Sequence, residues 1–172
     1  MTAPGPCATV GVMDTRIRAF RPPDTEPVVA LSLRAWAPVF ASLERVLGRE
    51  ISGRLHGDWH QHQERAVRGV LAGPGVHAWV AEADQQVVGF VTATVDAGRL
   101  LGEIPMLAVD PAAQGRGTGS ALTAFATDWL RGAGMLVVMV ETGGDPGHAP
   151  ARRVYQQAGY ALLPVARYFK AL

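Results

Sequence analysis

The sequence predicts a mixed α/β layer, an antiparallel meander of strands with helices before and after it. Three observations carry this expectation. At 172 residues, 48% hydrophobic and 18% charged, the chain has room and apolar mass for one cored domain. Apolar spacing is helical before Gly73-Pro74-Gly75 and alternates after it. Further on, a glycine-rich stretch joins a strand-like segment to an amphipathic helix.

Residues 15 to 20 alternate polar and apolar, the period of a half-buried strand. Pro22 and Pro23 stop it, and Asp24 is placed to cap a helix with Glu26 in its first turn. Val29, Leu33 and Trp36 share one helical face, and residues 39 to 72 continue as helix, with interruptions expected near Gly48 and at Ser52-Gly53. Residues 76 to 82 and 87 to 95 alternate around a turn at Asp84-Gln85-Gln86, the pattern of a hairpin. A third strand spans 100 to 109; Pro105 inside it has no N–H for a ladder and predicts a bulge or a free edge. Leu122, Phe125, Ala126 and Trp129 mark a helix ending near Gly132, and residues 135 to 141 form a continuous apolar strand. A Gly/Pro loop over 143 to 150 leads to a short helix over 151 to 158, closed by Gly159. Two short strands, 160 to 163 and 165 to 169, complete the pattern, and the second is an edge open to pairing with another copy of the chain. Residues 1 to 13 read as a flexible extension ahead of a single domain at 14 to 172.

Composition excludes several classes. A formal net charge of +1 argues against a nucleic-acid surface. Cys7 is the whole cysteine inventory, so no intrachain disulfide and no cysteine-based zinc site can form, and a cytoplasmic setting is expected. The first residues show neither the basic start nor the apolar run of a secretory signal, and nothing approaches the roughly 18 apolar residues of a membrane span. No membrane partner is expected.

The most informative segment runs from Leu107 to Ser120. A strand ends at Val109, Asp110-Pro111 turns the chain, and Gly115, Gly117 and Gly119 lead into a helix. The first amides of a helix lack intrahelical acceptors, and the helix dipole adds positive charge there. Bare glycine backbone, with Arg116 beside it, suits a pyrophosphate. The residues alone leave the ligand open. Glu141 lies 22 residues past Gly119, near the spacing of a ribose-binding acid in dinucleotide folds, and glycines following Asp110 also suit a methyl donor such as S-adenosylmethionine. Against both stands the gap of five residues, 110 to 114, between strand and first glycine, and the antiparallel meander upstream.

Gln114-Gly115-Arg116-Gly117-Thr118-Gly119 resembles the signature of the GCN5-related N-acetyltransferase (GNAT) family, which follows a strand and opens a helix. The segment from Ala151 through Tyr155 to Gly159-Tyr160 is similar to that family's closing segment around a helical tyrosine, and the strand order resembles its fold from Thr15 onward. The resemblance implies a mostly antiparallel sheet flanked by helices, with a splayed strand pair forming the cofactor cleft. It implies acetyl-CoA as co-substrate and a small-molecule or peptidyl amine as acceptor, with no metal. The backbone of Gln114, Gly115, Arg116, Gly117, Thr118, Gly119 and Ser120 would hold the pyrophosphate, and the strand edge at Leu107 and Val109 the pantetheine arm.

Acyl transfer to an amine needs the ammonium deprotonated, the thioester carbonyl polarised and the leaving thiolate protonated. Tyr155 matches the family's general acid, and Ala151, Val154, Tyr155 and Ala158 share one helical face, which turns the phenol inward. Three side chains compete as base: Glu103 on the signature strand, Glu141 at the end of the next, and His148 where relatives carry an asparagine. Tyr160 stands for a frequent phenylalanine, a change expected to matter little. Early helices form the acceptor side in this family, which makes Trp36, Phe40, Asp58 and Trp59 pocket candidates, with Asp58 able to attract a cation. Arg152 and Arg153 are within reach of a phosphate or lie on a solvated face. His56, Asp58, His60 and His62 have metal-ligand character, but Gly57 and their polar surroundings favour an exposed turn. A catalytically silent acyl-CoA-binding module would keep the glycine loop without using Tyr155 or the carboxylates.

Overall fold

The structure is a computed structural model that describes residues 15–172. Cys7 and the extension over residues 1 to 13 lie outside the described residues.

Strand β1 (Arg16–Ala19) is followed by a single 3-10 turn and a long helix, α1 (Thr25–His56). Asp24 is buried at that junction, where its carboxylate accepts from Arg18 at 2.7 and 2.9 Å and from the Arg21 amide. Helix α1 breaks at Gly48, whose φ of 78° lies in the left-handed region that glycine alone enters freely. The second interruption falls at Gly57 instead of Ser52-Gly53, because Asp58 caps α2 (Trp59–Leu71) there by accepting from the amides of His60 and Gln61.

The hairpin is β2 (His77–Ala83) and β3 (Gln86–Asp96), joined through Asp84 and Gln85 at φ of 50° and 61°. Both central residues have the positive φ of a type I′ turn, which matches the strand twist. Alternation along β2 divides the core. Trp79 and Ala81 join Val91, Leu122, Ala126 and Leu130 on one face, while Val80 joins Val28, Leu31, Val67 and Phe90 on the other. Each such buried side chain contributes about 1.5–3 kcal/mol of hydrophobic stabilisation.

The expected third strand divides into β4 (Leu101–Glu103) and β5 (Leu107–Val109). Thr94 pairs with Glu103 and Val91 with Leu107, so three steps along β3 face four along the other side. That is a bulge of one residue, and Pro105 sits in it. The Met106 amide donates to Thr92 Oγ1 at 3.0 Å and the Ile104 amide turns away to the Met139 carbonyl at 2.9 Å. Helix α3 (Thr118–Gly132), strand β6 (Val137–Met139) and helix α4 (Ala149–Gln157) follow. The sheet order is β1-β2-β3-β4-β6, with β5 pairing β3 only. β4 and β6 are parallel and the other pairs antiparallel, so the sheet is mixed, mostly antiparallel, and flanked by helices. Gly102 of β4 lies under α3 so closely that a Cβ there would meet Leu130 Cδ2 at 2.6 Å.

Two expectations at the end of the chain are corrected. No strand forms over 160 to 163 or 165 to 169, and Leu162, Leu163, Val165 and Tyr168 are exposed. Apolar alternation is a local pattern, but a strand needs a neighbour to complete its ladder, and Pro164 removes one donor between the two segments. The terminal edge strand expected to pair with a second copy is therefore absent, and β6 is the last strand on that side of the sheet.

Candidate active site

Beyond Val109 the chain turns through Asp110, which accepts from the Ala112 amide at 3.0 Å and from Arg34 Nε at 3.0 Å. Burial pushes the Asp110 carboxyl up, but Arg34 and the Ala112 amide outweigh it and hold the group below its ordinary value. Gln114 then folds back, and its Nε2 donates to the Val109 carbonyl at 3.0 Å. Gly115 and Gly117 adopt φ of 73° and 85°, where any other residue would be strained. Gly119 has ordinary φ, and a Cβ there would meet Val109 Cγ2 only at 3.8 Å. Internal packing does not require glycine at 119; what glycine does there is leave the first turn of α3 bare. The first intrahelical bond is Ala121 N–H to the Gly117 carbonyl at 2.9 Å, so the amides of Thr118, Gly119 and Ser120 precede the ladder.

The bulge sets up the other element of the site. The Met106 carbonyl and the Asp110 amide bond to β3, so in an antiparallel ladder the alternate residues, Leu107 and Val109, turn their backbone groups the opposite way. No strand lies on that side of β5 among the described residues. β6 pairs β4 through Met139 and then departs, and between β5 and the chain after β6 a cleft of about 880 Å³ opens. That volume falls in the range of small-molecule sites. Gln114, Gly115, Gly117, Gly119 and Ser120 line it together with Leu107 and Val109, whereas Arg116 and Thr118 do not.

Tyr155, on α4, reaches the cleft wall and is buried to 9% exposure. Its hydroxyl makes no hydrogen bond within the described residues. Burial, with Tyr160 nearby, pushes the phenol up to about 12. Tyr160 packs its ring 5.9 Å from that of Tyr155. Since Thr127 Oγ1 gives its proton to the Thr123 carbonyl, the 2.7 Å contact has Tyr160 donating to Thr127. A phenylalanine could not anchor α4 to α3 in that way, so Tyr160 matters more than the sequence suggests.

His148 lines the cleft at the foot of α4, with its Nδ1 against the Asp145 carboxylate. Asp145 also accepts from the Gly147 amide at 2.9 Å, and that amide donates to Ser42 Oγ of α1 at 2.9 Å. Arg152 Nη1 donates to the Gly143 and Asp145 carbonyls at 2.5 and 2.8 Å, a use in bracing the loop and not in reaching phosphate. Gly147 sits so near α1 that a Cβ would meet Ser42 Cβ at 2.7 Å. Burial raises the Asp145 carboxyl, but Ser42, His148 and the Gly147 amide together keep it below the ordinary carboxylate range. With Nδ1–H donated to Asp145, the His148 Nε2 lone pair is available to a ligand.

Of the carboxylates read as bases, Glu141 lines the cleft and is largely exposed, with Arg167 at 3.6 Å. Glu103 does not line it, because it precedes the bulge and its backbone is held between Thr94 and Met139. Trp36 lines the cleft. Phe40 and Trp59, stacked at 4.6 Å, line a separate hollow of about 390 Å³ with His56, and Asp58 is occupied as the cap of α2. Burial, and then His62, lower the His56 pKa. Among the described residues no three His, Cys, Asp or Glu side chains converge to hold a metal ion, and no helix is long and apolar enough to cross a membrane. Sequence reasoning missed Ser42 and Asp145, and it missed Gln63 of α2, a buried residue that also lines the cleft.

A family profile described as the acetyltransferase (GNAT) family matches residues 40–160. The chain is 34% identical over 155 residues to a mycothiol acetyltransferase of Sanguibacter keddieii, covering 87% of this chain and 44% of the relative. It is 32% identical over 164 residues to the protein of the same name in Saccharomonospora viridis, covering 86% of this chain and 46% of that one. The chain thus spans about half the length of the curated relatives it matches. Among solved structures, a GNAT-family acetyltransferase from Desulfovibrio desulfuricans superposes with a TM-score of 0.65 at 22% identity, over 87% of each chain. The PaiA N-acetyltransferase of Thermoplasma acidophilum, in complex with coenzyme A, superposes at 0.68 and 15% identity, over 90% of this chain and 94% of the other. At these identities the structural likeness speaks for the fold.

Proposed function

This chain belongs to the acetyltransferase (GNAT) family, and from that premise we propose that it transfers an acetyl group from acetyl-CoA to a primary amine by direct attack. The observation that carries the reading is one cleft lined by three things at once: the bare N-terminus of α3, the free edge of β5 and the hydroxyl-bearing face of α4. The amides of Gly117 to Ser120 suit the pyrophosphate by dipole and by unspent N–H groups. The edge at Leu107 and Val109 suits an amide-bearing arm laid along it in the manner of a strand.

The chemistry follows from the remaining wall. A base removes a proton from the ammonium, and the nitrogen lone pair attacks the thioester carbonyl. As the tetrahedral adduct collapses the C–S bond breaks, and the sulfur takes the proton of Tyr155. Burial suits Tyr155 to that role, since it keeps the phenol protonated at neutral pH beside a leaving thiolate. His148 is the base this geometry favours over Glu141. Its tautomer is fixed by Asp145 and its loop by Ser42, whereas Glu141 is exposed and faces Arg167. General acid or base catalysis of this kind contributes about 10²–10⁴-fold each. A reduced, cytoplasmic setting goes with this reading.

The test is thiol release from acetyl-CoA with a panel of primary amines. Turnover that is sequential and falls in Tyr155→Phe supports the reading. Ping-pong kinetics would overturn direct attack, and acetyl-CoA binding without turnover on any amine would leave a binding module.

A further inference from the structure

Gln63 is 5% exposed, lines the cleft, and carries the one buried side-chain nitrogen or oxygen among the described residues without a hydrogen-bond partner, its Nε2. A buried amide donor left unmade costs on the order of 1–3 kcal/mol, so native proteins keep few. Val67, one turn later on the same helix face, is fully buried in the core, and a methionine or leucine would fill position 63 with no orphan donor. The site instead holds a neutral donor where α2 meets the cleft.

The charges of the cleft sharpen this. Its ionisable side chains, Glu141, His148 and Arg153, along with Tyr155, all belong to the chain after β6. The opposite wall, from α1 and α2, consists of Ala35, Trp36, Pro38, Val39 and Gln63, with no charge. Such a wall offers a polycation nothing and offers an uncharged oxygen one hydrogen bond.

We propose that Gln63 is a specificity-determining residue, whose Nε2 donates to a neutral oxygen, hydroxyl or carbonyl, carried by the amine acceptor a few atoms from its nitrogen. This rests on the acetyltransferase reading above. It makes the acceptor an oxygen-bearing amine, such as an amino amide or an amino sugar, and not a polyamine.

Two measurements test it separately from that reading. The first compares alaninamide, glucosamine, cyclohexylamine and spermidine as acceptors for the wild type and for Gln63→Met, which keeps length and removes the donor. The proposal expects kcat/KM for alaninamide or glucosamine to fall about tenfold in the variant, mainly through KM, with cyclohexylamine unchanged and the unliganded protein melting no lower. Alaninamide responding alone identifies a carbonyl partner, and glucosamine alone a hydroxyl. Equal losses for all amines, a lowered melting temperature, or no change would overturn the assignment and leave Gln63 as packing around a bound water. The second follows the Gln63 side-chain amide by nuclear magnetic resonance in wild-type protein saturated with CoA as each amine is added. A shift with an oxygen-bearing amine upholds the proposal even if no turnover is seen, which would sink only the catalytic reading. A static amide during active turnover sinks the proposal alone.

Discussion

The two sides of the cleft are built by opposite means. On the glycine-loop side, backbone groups within fourteen residues, from Leu107 to Ser120, make nearly the whole surface. On the His148 side, the surface depends on side chains far apart in sequence, with Ser42 holding the Gly147 amide across 105 positions. A backbone site tolerates side-chain change but not a change of φ. A side-chain site tolerates neither loss of a partner nor a displaced loop. Binding of the donor should therefore depend on the first side and turnover on the second.

The largest separation expected is at Tyr155. Tyr155→Phe keeps the ring in its buried slot and removes only the proton donor, so kcat should fall about 100-fold or more while the CoA dissociation constant stays within twofold. Isothermal titration and steady-state kinetics on one preparation would measure both. In the wild type the raised Tyr155 pKa has a readable sign. The acid form persists up to about 12, so kcat should not decline through the ordinary phenol range near 10 as it would for an unburied tyrosine.

Next in size is the loop clamp. Ser42→Ala removes the acceptor of the Gly147 amide and leaves the glycine loop untouched, so kcat should fall about tenfold with little change in CoA affinity. Asp145→Asn weakens the hold on His148 and should cost about 1–2 kcal/mol of stability at neutral pH. Because the Asp145 pKa is lowered in the folded state, its contribution is present above the ordinary carboxylate value of about 4 and is lost as pH falls through the folded value. The melting-temperature gap between wild type and variant should be level from pH 8 to 5 and close below that.

The smallest effect is the mirror image. Gly117→Ala forces a side chain into a φ of 85° at the helix cap, and about 1–2 kcal/mol of strain should weaken CoA binding about tenfold. Turnover at saturating acetyl-CoA should change less than twofold. Were Gly117→Ala to depress kcat and Ser42→Ala to depress CoA affinity, the division between the two sides would be lost.

What the sequence disclosed follows the same division. Gly115, Gly117 and the strand, turn and helix around them are read from neighbours along the chain, and Pro105 alone foretold the bulge that frees β5. Tyr155 was legible from helical spacing within a single turn. The pairing of Ser42 with Gly147 has no local signal, because Ser42 reads as one more polar position in a helix. Gln63 is equally silent, since its burial comes from the fold around α2 and not from the pattern within it. Glu103 and Asp58 were chosen by residue type, and the bulge and the helix cap took them out of the cleft wall. The strands read over 160 to 169 failed for the complementary reason: alternation states which face is apolar and says nothing of a partner for the ladder.

Thermal stability with acetyl-CoA, CoA, S-adenosylmethionine and NAD at matched concentrations tests the central claim most directly, since a ligand of the native state must raise the melting temperature. Stabilisation by acetyl-CoA and CoA, with none from the other two, is the result this account predicts. A shift with S-adenosylmethionine or NAD and none with acetyl-CoA would contradict it, and the bare N-terminus of α3 would then belong to a different ligand.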